Sequence, residues 1–568
     1  MDITGVVRNV DEACEILEQE TEIGFDTETS GLSPWRDHLA LMQFCGRKSK
    51  IPVVLRVADG VIPERVQALF EKGNRTFVGH NLVSFDNLFL GTHGVDWQKS
   101  KYFDTLVGEG LVSTTGRRDV SRNLKNSVRR RLGMTLDKDI EHGNWGAEEL
   151  SEKQLEYAAG DVIHLIDLMD EQKSKAEQQG QTEAMEMEME LVPVVSEMTL
   201  NGLPLPIASL HKWLDEQREL QKESKAWVLK NLGEINMNSW QQKIKAAASK
   251  GVILENTQSD YLADLAENGT GYAAELAKNY HDYSAPAQRL KMYSEAWQNM
   301  HIVDEWAHPR FWQVGTDTLR FSSSDPNFQQ LPKDGRKIIG NIPGLKIVNA
   351  DYSQIEVRIA AEIAHDYKLI ELLQEGDVHA NIAALVFGIP KEQVSDAQRR
   401  SAKAATFTLL FGGSADRLYK GAKSYGASMT EDEAYEVFTK FFQTFDGLRR
   451  IREQAFAMKG RRVVTIRFPN SSKRVIVGRN VTPTRILNTA VQGPAAVGMK
   501  YALLEAKKNG IMQYIGSTVH DELVAAVPDK YAEEVGHVLN KSMVDGMHRA
   551  FPDMTVKVEV KIGDYWQK

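Results

Sequence analysis

The stretch LKIVNADYSQIEVR covers residues 345–358, and its first six residues form a largely apolar run of the kind that makes a buried β-strand. Asp351 follows that run directly. A second acid, Asp521, lies between two apolar segments in STVHDELV, residues 517–524. Between the two acids, cationic and aromatic side chains recur every four residues, which places them on one face of a helix: Arg399, Lys403, Phe407 and Phe411. Carboxylates bind metal ions and clustered cations bind phosphate groups, so these segments predict one site for both.

The composition is that of an ordinary globular protein. A chain of 568 residues is too long for a single core, so several domains are expected. No apolar run reaches the roughly 18 residues that span a bilayer, and the N-terminus lacks the pattern of a signal peptide. Cys14 and Cys45 are the only cysteines, too few for a disulfide framework or a zinc site. We therefore predict a monomer without a membrane segment, in a reducing cytoplasm.

The formal net charge of −9 argues against a nucleic-acid-binding protein unless cations cluster locally. Two clusters exist, since residues 117–131 and residues 459–479 each contain seven lysines and arginines. Such clusters can follow a phosphate backbone while the rest of the surface stays acidic. They are equally typical of solvated basic faces, and the composition leaves both interpretations open.

The pattern of apolar residues differs between the two halves of the chain. Residues 21–130 alternate short apolar runs with polar helical stretches, which predicts an α/β layer domain. Helices are predicted in chain order at 147–178, at 186–300 with a break at 236–239, and over roughly 360–455. Strands are predicted at 345–350, 462–468, 474–477, 513–519 and 522–527. The boundary between the halves is expected at 175–190, a polar stretch that fits a solvated helix equally well.

A second group of acids lies in the N-terminal half. Asp26 and Glu28 follow an apolar run, and a strand would place both side chains on the same face. Two carboxylates so close together repel each other unless a cation joins them, and oxygen-rich sites suit Mg²⁺ or Mn²⁺. Asp86 and Asp161 can complete the group, and Tyr157 shares a helical face with Asp161 four residues later. Taken singly, each acid is more often an ordinary surface residue.

Together these acids resemble the three motifs of the DEDDy 3′–5′ exonucleases. The resemblance implies an RNase H-like exonuclease domain over residues 1–180. It implies two metal ions, Mg²⁺ or alternatively Mn²⁺, held by Asp26, Glu28, Asp86 and Asp161. Tyr157 would orient the water that attacks a 3′-terminal phosphodiester.

Four segments of the C-terminal half closely resemble motifs of the family A, polymerase I-like DNA polymerases: 318–329, 351–356, 399–412 and 519–523. The similarity runs through most of residues 186–568. It implies a multidomain chain of the α/β and α+β classes, in which the exonuclease domain precedes a right-hand polymerase domain. The implied divisions are a thumb at 186–300, a palm at 301–358 and 485–568, and fingers at 359–484.

The same resemblance implies roles for single residues, with primer–template DNA and dNTPs as partners. Asp351, Asp521 and the backbone carbonyl of Tyr352 would hold two Mg²⁺ ions, and Lys403 would also protonate the leaving pyrophosphate. Glu356 would exclude a 2′-hydroxyl and so select deoxynucleotides. The residues expected to bind the dNTP are Arg399, Lys403, Phe407, Phe411, His379, Gln354 and Glu356. Those expected to contact DNA are Arg320, Asn327, Gln329, Asn488, Gln492 and His520.

Three positions depart from the family pattern within the helix that carries the cations. Thr406, Thr408 and Phe411 stand where Asn, Gly and Tyr are usual. Because Thr is β-branched and stiffer than Gly, Thr408 is expected to crowd the pocket around the new base pair and to alter the choice of sugar or modified base. None of the three is a metal-binding acid, so catalysis itself is expected to be intact.

The exonuclease motifs begin within thirty residues of Met1, so no 5′-nuclease domain is expected. A proofreading polymerase of this size resembles phage replicative enzymes, which predicts a phage source and the cytoplasm of a bacterial host. Two rival interpretations are a nuclease that uses the polymerase half only as a DNA-binding platform, and a scaffold without catalysis. Neither needs both sets of acids, so a proofreading DNA polymerase is the leading prediction.

Overall fold

The computed structural model describes residues 6–58, 60–114, 121–136, 145, 150–374, 376–422, 427 and 429–567. Arg117 and Arg118 of the first basic cluster lie outside these residues. In the N-terminal part, one sheet contains the strands β1 (Glu22–Thr29), β2 (Leu39–Gly46), β3 (Pro52–Arg56), β4 (Thr76–Gly79) and β5 (Lys101–Asp104). They lie in the order β3-β2-β1-β4-β5, with β1, β4 and β5 parallel and the other pairs antiparallel. The sheet is flanked by α1 (Val10–Leu17), α2 (Glu64–Glu71), α3 (Asp86–Thr92), α4 (Thr105–Val112), α5 (Leu124–Leu132), α6 (Glu152–Val162) and α7 (Leu165–Gln178).

Strand β1 carries the first acids, and its register is fixed by an aromatic cluster. The ring of Phe25 lies 5.3 Å from Phe44, 5.2 Å from Phe70 and 6.0 Å from Phe77, and all four side chains are fully buried. Because side chains alternate along a strand, burying Phe25 on one face turns its neighbour Asp26 to the other. The predicted α/β layer is therefore present, with the acids on the face opposite the aromatic core.

The middle of the chain is mostly helical: α8 (Thr182–Asn201), β6 (Leu203–Pro204), α9 (Ile207–Leu232), α10 (Trp240–Ala248), α11 (Ser259–Asn268), α12 (Gly271–Met292) and α13 (Glu295–His301). The predicted break at 236–239 is confirmed. Ser239 caps α10, where its side chain accepts a hydrogen bond from the backbone N–H of Gln242.

The C-terminal part contains short strands and one larger sheet: β7 (Ile302–Val303), β8 (Trp306–Ala307), β9 (Arg310–Trp312), β10 (Ser322–Ser324), β11 (Leu345–Tyr352), β12 (Val463–Arg467), β13 (Lys473–Val477), β14 (Ile515–Val519), β15 (Glu522–Pro528) and β16 (Val558–Gly563). The larger sheet is antiparallel, in the order β14-β15-β11-β16. All five predicted strands are present, although β14 begins two residues late, after a 3₁₀ turn at Met512–Tyr514.

The predicted helical block is also confirmed. Its helices, and the two that follow, are α14 (Ile355–Ala364), α15 (Tyr367–Gln374), α16 (Val378–Phe387), α17 (Asp396–Leu410), α18 (Ala415–Gly421), α19 (Glu431–Thr444), α20 (Asp446–Ala457), α21 (Pro483–Lys508) and α22 (Ala532–Ala550). Helix α22 packs on β11 and β16, and α21 packs on α22. This layer backs one face of the larger sheet, and the other face carries an apolar cluster that includes Ile347, Val524 and Trp213.

Helix α8 joins the two halves of the chain. Three residues separate it from the end of α7, and it packs against both β5 and β14. Its Glu188 is 1% exposed and forms a salt bridge with the fully buried Lys500 of α21. The alternative of a solvated helix fits the polar end of α7, where Lys173, Ser174, Glu177 and Gln178 are exposed, whereas α8 is largely buried between the two halves. The finer division into thumb, palm and fingers stays a prediction.

Candidate active sites

The larger sheet brings the two most informative acids together. Strand β11 pairs with β15 so that Asp351 lies opposite Glu522, and Asp521 directly precedes Glu522 in the tight turn between β14 and β15. The backbone N–H of Tyr352 donates to the carbonyl of Asp521 at 3.1 Å. Two residues separated by 170 positions in the chain thus become neighbours at one end of the sheet.

Backbone strain marks both edges of this site. His520, in the turn before Asp521, has a φ of +56°, and Gln354, just before α14, has a φ of +55°. A residue other than glycine in this left-handed region costs about 1 kcal/mol or more, and such residues are frequent at functional sites. The strain is tolerated where the surrounding sheet and helix fix the turn.

The acids line an open cavity of about 210 Å³. Its lining includes six of the predicted site residues besides Asp351: Tyr352, Gln354, Glu356, Phe407, His520 and Asp521. The other predicted dNTP ligands do not line this cavity; among them, His379 has its ring 5.9 Å from that of Phe407, which does line it. The sequence therefore identified the floor of the site, which combines a carboxylate pair with one aromatic wall.

Arg320 forms ion pairs with two acids of this floor. Its Nη2 donates to Glu356 Oε1 at 2.7 Å and to Asp521 Oδ1 at 3.2 Å. All three side chains are only about one-fifth exposed, which reduces the screening of the pair by water. The Arg320 guanidinium thus contacts Asp521 where a metal ion would bind, and the carboxylates of Glu356 and Asp521 suit positive charge.

The adjacent acid, Glu522, has a different role that the sequence did not reveal. Its carboxylate accepts hydrogen bonds from Arg336 at 2.9 Å, Asn349 at 2.7 Å and the indole N–H of Trp566 at 2.7 Å. The guanidinium of Arg336 also stacks 4.2 Å from the ring of Trp566. Glu522 also lines the cavity, but three protein donors already occupy its buried carboxylate, so Asp521 is the acid of this pair that is better placed to bind a ligand.

Helix α17 presents the predicted cations near the cavity. Arg399 donates to Asp377 at 2.5 Å, and Asp377 in turn caps α16 through the backbone N–H of His379. Burial and the nearby charges of Lys403 and Arg399 lower the pKa of His379 to about 4, so the ring is neutral at pH 7.

The far end of the cationic helix differs from the sequence prediction. Helix α17 ends at Leu410, so Phe411 forms its C-terminal cap and packs against the core outside the cavity lining. Thr406 is buried and donates to the carbonyl of Ala402 at 2.8 Å. Thr408 lies against Gly413, whose N–H donates to its carbonyl at 3.0 Å. Neither threonine lines the cavity, so the predicted crowding by Thr408 has no support in this geometry.

The predicted DNA contacts divide into two groups. Asn327 and Gln329 are engaged inside their own loop: Asn327 accepts hydrogen bonds from Ser323 and from the N–H of Gln329, and Gln329 donates to the carbonyl of Phe321. Asn488 and Gln492 are four residues apart on α21 and half-buried. In the part of the chain that the structure describes, the buried Asn488 Oδ1 has no hydrogen-bond partner, which suits a partner from a ligand.

The N-terminal acids form a second site. One carboxylate oxygen each from Asp26, Glu28 and Asp161 lies within 4.8 Å of the other two, an arrangement that suits a divalent cation. The hydroxyl of Tyr157 is hydrogen-bonded to Asp161, and burial together with the three carboxylates raises the pKa of Tyr157 far above its usual value. Tyr157 therefore keeps its proton at neutral pH.

Asp86 does not belong to this three-carboxylate group. It is 1% exposed, and its Oδ1 accepts a hydrogen bond of 2.6 Å from the hydroxyl of Thr27, the residue between Asp26 and Glu28. Burial raises the pKa of Asp86 to about 7. The predicted fourth ligand thus lies next to the strand that carries the first two, without joining their cluster.

Two carboxylate sites in one chain, one on an α/β sheet and one on an antiparallel sheet beside a cationic helix, define a nucleic acid polymerase that also carries a nuclease. Comparisons with known proteins agree. A model described as DNA polymerase family A matches residues 209–568, and a model described as 3′-5′ exonuclease matches residues 8–176. The chain belongs to DNA polymerase family A, and it is a DNA-directed DNA polymerase with a 3′–5′ exonuclease domain.

Similar proteins cover the chain to different extents. DNA polymerase I of Aquifex aeolicus is 28% identical over 98% of this chain and 97% of that protein. DNA polymerase I of Pseudomonas aeruginosa is 27% identical over 97% of this chain, which spans only 64% of that relative. The Thermus aquaticus thermostable DNA polymerase I is 36% identical over 46% of this chain. These relatives are bacterial, so they give the predicted phage origin no support.

A solved structure supports the fold. The polymerase domain of Pol1 from M. smegmatis, in a complex with a DNA primer-template and dNTP, matches with a TM-score of 0.81 at 20% identity, over 99% of both chains. Among the residues that the structure describes, no helix combines the length and apolar character needed to cross a membrane.

Proposed function

We propose that the C-terminal site extends a primer 3′ end with dNTPs on a DNA template, and that the N-terminal site removes mispaired 3′-terminal nucleotides. The observation that carries this proposal is the convergence of Asp351 and Asp521 from two adjacent strands into an open cavity beside α17. The second carboxylate cluster, on β1 and α6, supports proofreading by the same chain.

In the polymerase site, Asp351, Asp521 and the carbonyl of Tyr352 would hold the metal ions, predicted to be a pair of Mg²⁺. Such ions, when bound, acidify the primer 3′-hydroxyl and neutralise the dNTP phosphates. Arg399 and Lys403 add positive charge for the triphosphate, and Lys403 can pass a proton to the departing pyrophosphate. Asp351, Tyr352 and Asp521 line one cavity, and α17, which carries Arg399 and Lys403, contributes Phe407 to its lining, which supports these roles.

The cavity walls select the substrate. Phe407 lines the cavity, where its ring can pack against the sugar and base of the dNTP. Glu356 occupies the same space and accepts a hydrogen bond from Arg320, so it can exclude a ribose 2′-hydroxyl. His379, neutral at pH 7, can donate a hydrogen bond to a phosphate oxygen without adding charge.

Arg320 has to exchange partners during the reaction. Its guanidinium contacts Asp521 in this structure, and the same guanidinium is predicted to contact the primer terminus in the minor groove. Moving to the primer would free Asp521 for a metal ion. A metal ion would then replace the positive charge of Arg320 at Asp521, while Arg320 holds the primer end.

In the exonuclease site, Asp26, Glu28 and Asp161 would hold a divalent cation, with Asp86 as the predicted further ligand. Tyr157 stays protonated, so it can orient a water molecule through hydrogen bonds but cannot act as the base. The geometry supports orientation of water by Tyr157 and stabilisation of charge by the carboxylates.

Two substitutions in the full-length chain test this division of labour. Asp26→Ala should abolish degradation of a 3′-labelled strand and leave primer extension at its parent rate. Asp521→Ala should abolish extension and leave degradation intact. Extension by Asp521→Ala at the parent rate would refute the polymerase assignment, and unchanged degradation by Asp26→Ala would refute the exonuclease assignment.

The same assay addresses the rival nuclease, in which the polymerase half only binds DNA. That reading predicts no extension by the parent protein with Mg²⁺ and four dNTPs, and the open Asp351–Asp521 pair argues against it. The phage source, the cytoplasmic location, the monomeric state and the choice of Mg²⁺ over Mn²⁺ stay predictions.

A further inference from the structure

Asp104 is a buried acid that none of the sequence motifs includes. It ends β5 and caps α4, and its side chain is fully buried. Its Oδ1 accepts hydrogen bonds from the backbone N–H groups of Leu106 at 2.9 Å and Val107 at 3.3 Å. Capping the helix explains these two bonds, and Ser, Thr or Asn would serve as well.

The same carboxylate also binds a distant segment of the chain. Oδ1 accepts a hydrogen bond of 3.0 Å from the N–H of Asn81, and Oδ2 accepts one of 3.1 Å from the N–H of Val83. A carboxylate has enough lone pairs for all four donors and no donor of its own, unlike the amide of Asn. The two additional bonds explain why an acid stands at this cap despite its burial.

The segment that Asp104 binds leads directly to Asp86. Asn81 has a left-handed φ of +75°, a 3₁₀ turn follows at Leu82–Ser84, and Asp86 then opens α3. A strained turn persists only where its surroundings fix it. The neighbour Thr105 adds to this support, because its hydroxyl donates to the carbonyl of Gly79 at 2.9 Å and lies 2.8 Å from His80 Nδ1.

We propose that Asp104 is a positioning residue of the exonuclease site. By holding the turn at 81–83, it sets Asp86 against Thr27 and thus beside the strand that carries Asp26 and Glu28. This inference rests on the proposed function of Asp86 as a metal ligand. Residues that orient ligands from outside typically contribute about 10- to 100-fold to metal affinity or activity.

The test is Asp104→Asn in the full-length chain, on an Asp521→Ala background so that Mn²⁺ reports on the exonuclease site. The Asn amide can keep the cap but places donors against the N–H groups of the turn. We expect the Kd for Mn²⁺, measured by titration calorimetry, to rise about 10- to 100-fold. Raised Mn²⁺ should restore strand degradation, and Asp104→Asn alone, with Asp521 intact, should extend primers at the parent rate.

A matched control separates positioning from stability. Asn123→Ala removes the cap of α5 in the same domain, where the Asn123 side chain accepts only from the N–H of Asn126 among the described residues. It should lower the urea midpoint of unfolding and leave Mn²⁺ affinity unchanged. Equal losses of affinity in both variants, or none in Asp104→Asn, would overturn the positioning role.

Two further variants keep the test decisive. If Asp104→Asn fails to fold, Thr105→Val serves instead. Valine has nearly the shape of threonine, but it removes the hydroxyl that contacts Gly79 and His80 just before the same turn. An unchanged Mn²⁺ affinity in Thr105→Val would then refute the inference. Asp86→Ala separates the two hypotheses, namely that Asp86 is a metal ligand and that Asp104 positions it. If Asp86→Ala binds Mn²⁺ and degrades DNA normally, the ligand assignment fails; if it loses both while Asp104→Asn retains both, only the inference fails.

Discussion

The buried pair Glu188–Lys500 makes a quantitative prediction about how the two halves of the chain are held together. Glu188 is 1% exposed on α8, Lys500 is 0% exposed on α21, and Gln313 donates to Glu188 Oε2 at 3.1 Å. Burial lowers the pKa of Lys500, because desolvation penalises its ammonium form, while the nearby Glu188 opposes that shift. Glu188→Gln would leave that ammonium buried without a counter-charge.

The cost of breaking such a pair is about 3–5 kcal/mol, because the remaining charge keeps its desolvation penalty. We expect this loss in the free energy of unfolding for Glu188→Gln and for Lys500→Met. In Glu188→Met/Lys500→Met, both charges are replaced by apolar groups of similar size, so the loss should be far smaller than the sum of two single losses. Urea unfolding followed by tryptophan fluorescence measures each value.

A surface pair provides the control. Lys222 and Glu219 are 76% and 67% exposed, so Lys222→Met should change stability by less than about 1 kcal/mol. The reasoning would be refuted if the Lys500 and Lys222 substitutions cost the same. It would also be refuted if the double variant lost the full sum of the single losses, since the two charges would then act independently.

Three further predictions concern the two sites. Asp521→Asn should abolish extension with little loss of stability. Glu522→Gln should lower the free energy of unfolding in urea by about 1–3 kcal/mol, because three donors inside the protein bind Glu522. A comparable loss of stability in Asp521→Asn would contradict this. Because burial raises the pKa of Asp86 to about 7 from about 3.9 when unfolded, the metal-free native state holds a proton that the unfolded chain releases between these values. In chelator, the stability that the parent loses relative to Asp86→Asn as pH rises from 4 to 7 should therefore amount to at most about 4 kcal/mol, and an equal pH dependence in both proteins would contradict this. Arg320→Met should tighten Mn²⁺ binding to the polymerase site without DNA about fivefold, since an ion pair of about 1 kcal/mol no longer competes; weaker binding, measured by calorimetry in an Asp26→Ala background, would show that Arg320 does not compete.

The sequence predicted the strands and helices that carry the sites more accurately than it predicted the ends of those helices or the residues that pack around them. Every strand predicted beyond residue 340 is present, because apolar runs bounded by turn residues have one stable arrangement at a sheet. The helix around Arg399 and Lys403 was also foreseen from its four-residue spacing. Helix ends were less certain, as Phe411 shows, because a cap depends on contacts beyond the helix.

Neighbours that come from distant parts of the chain were not predictable. The motif around Asp521 offers two adjacent acids; the family resemblance pointed to Asp521, and the structure adds the physical reason, because Arg336 and Trp566 occupy the Glu522 carboxylate. Likewise, nothing in the sequence around Asp104 indicates that it holds the turn before Asp86.

The sequence by itself determined the reaction class, since metal-binding acids, phosphate-binding cations and their spacing are properties of residue types along one strand or helix. The tertiary structure decided which groups are available to a ligand. Asp521 and Glu522 both line the cavity, but three protein donors occupy the Glu522 carboxylate, and Asp26, Glu28 and Asp161 converge while Asp86 turns to Thr27. The physical reason is that availability depends on burial and on hydrogen-bond partners, and both are set by segments that lie far apart in the chain.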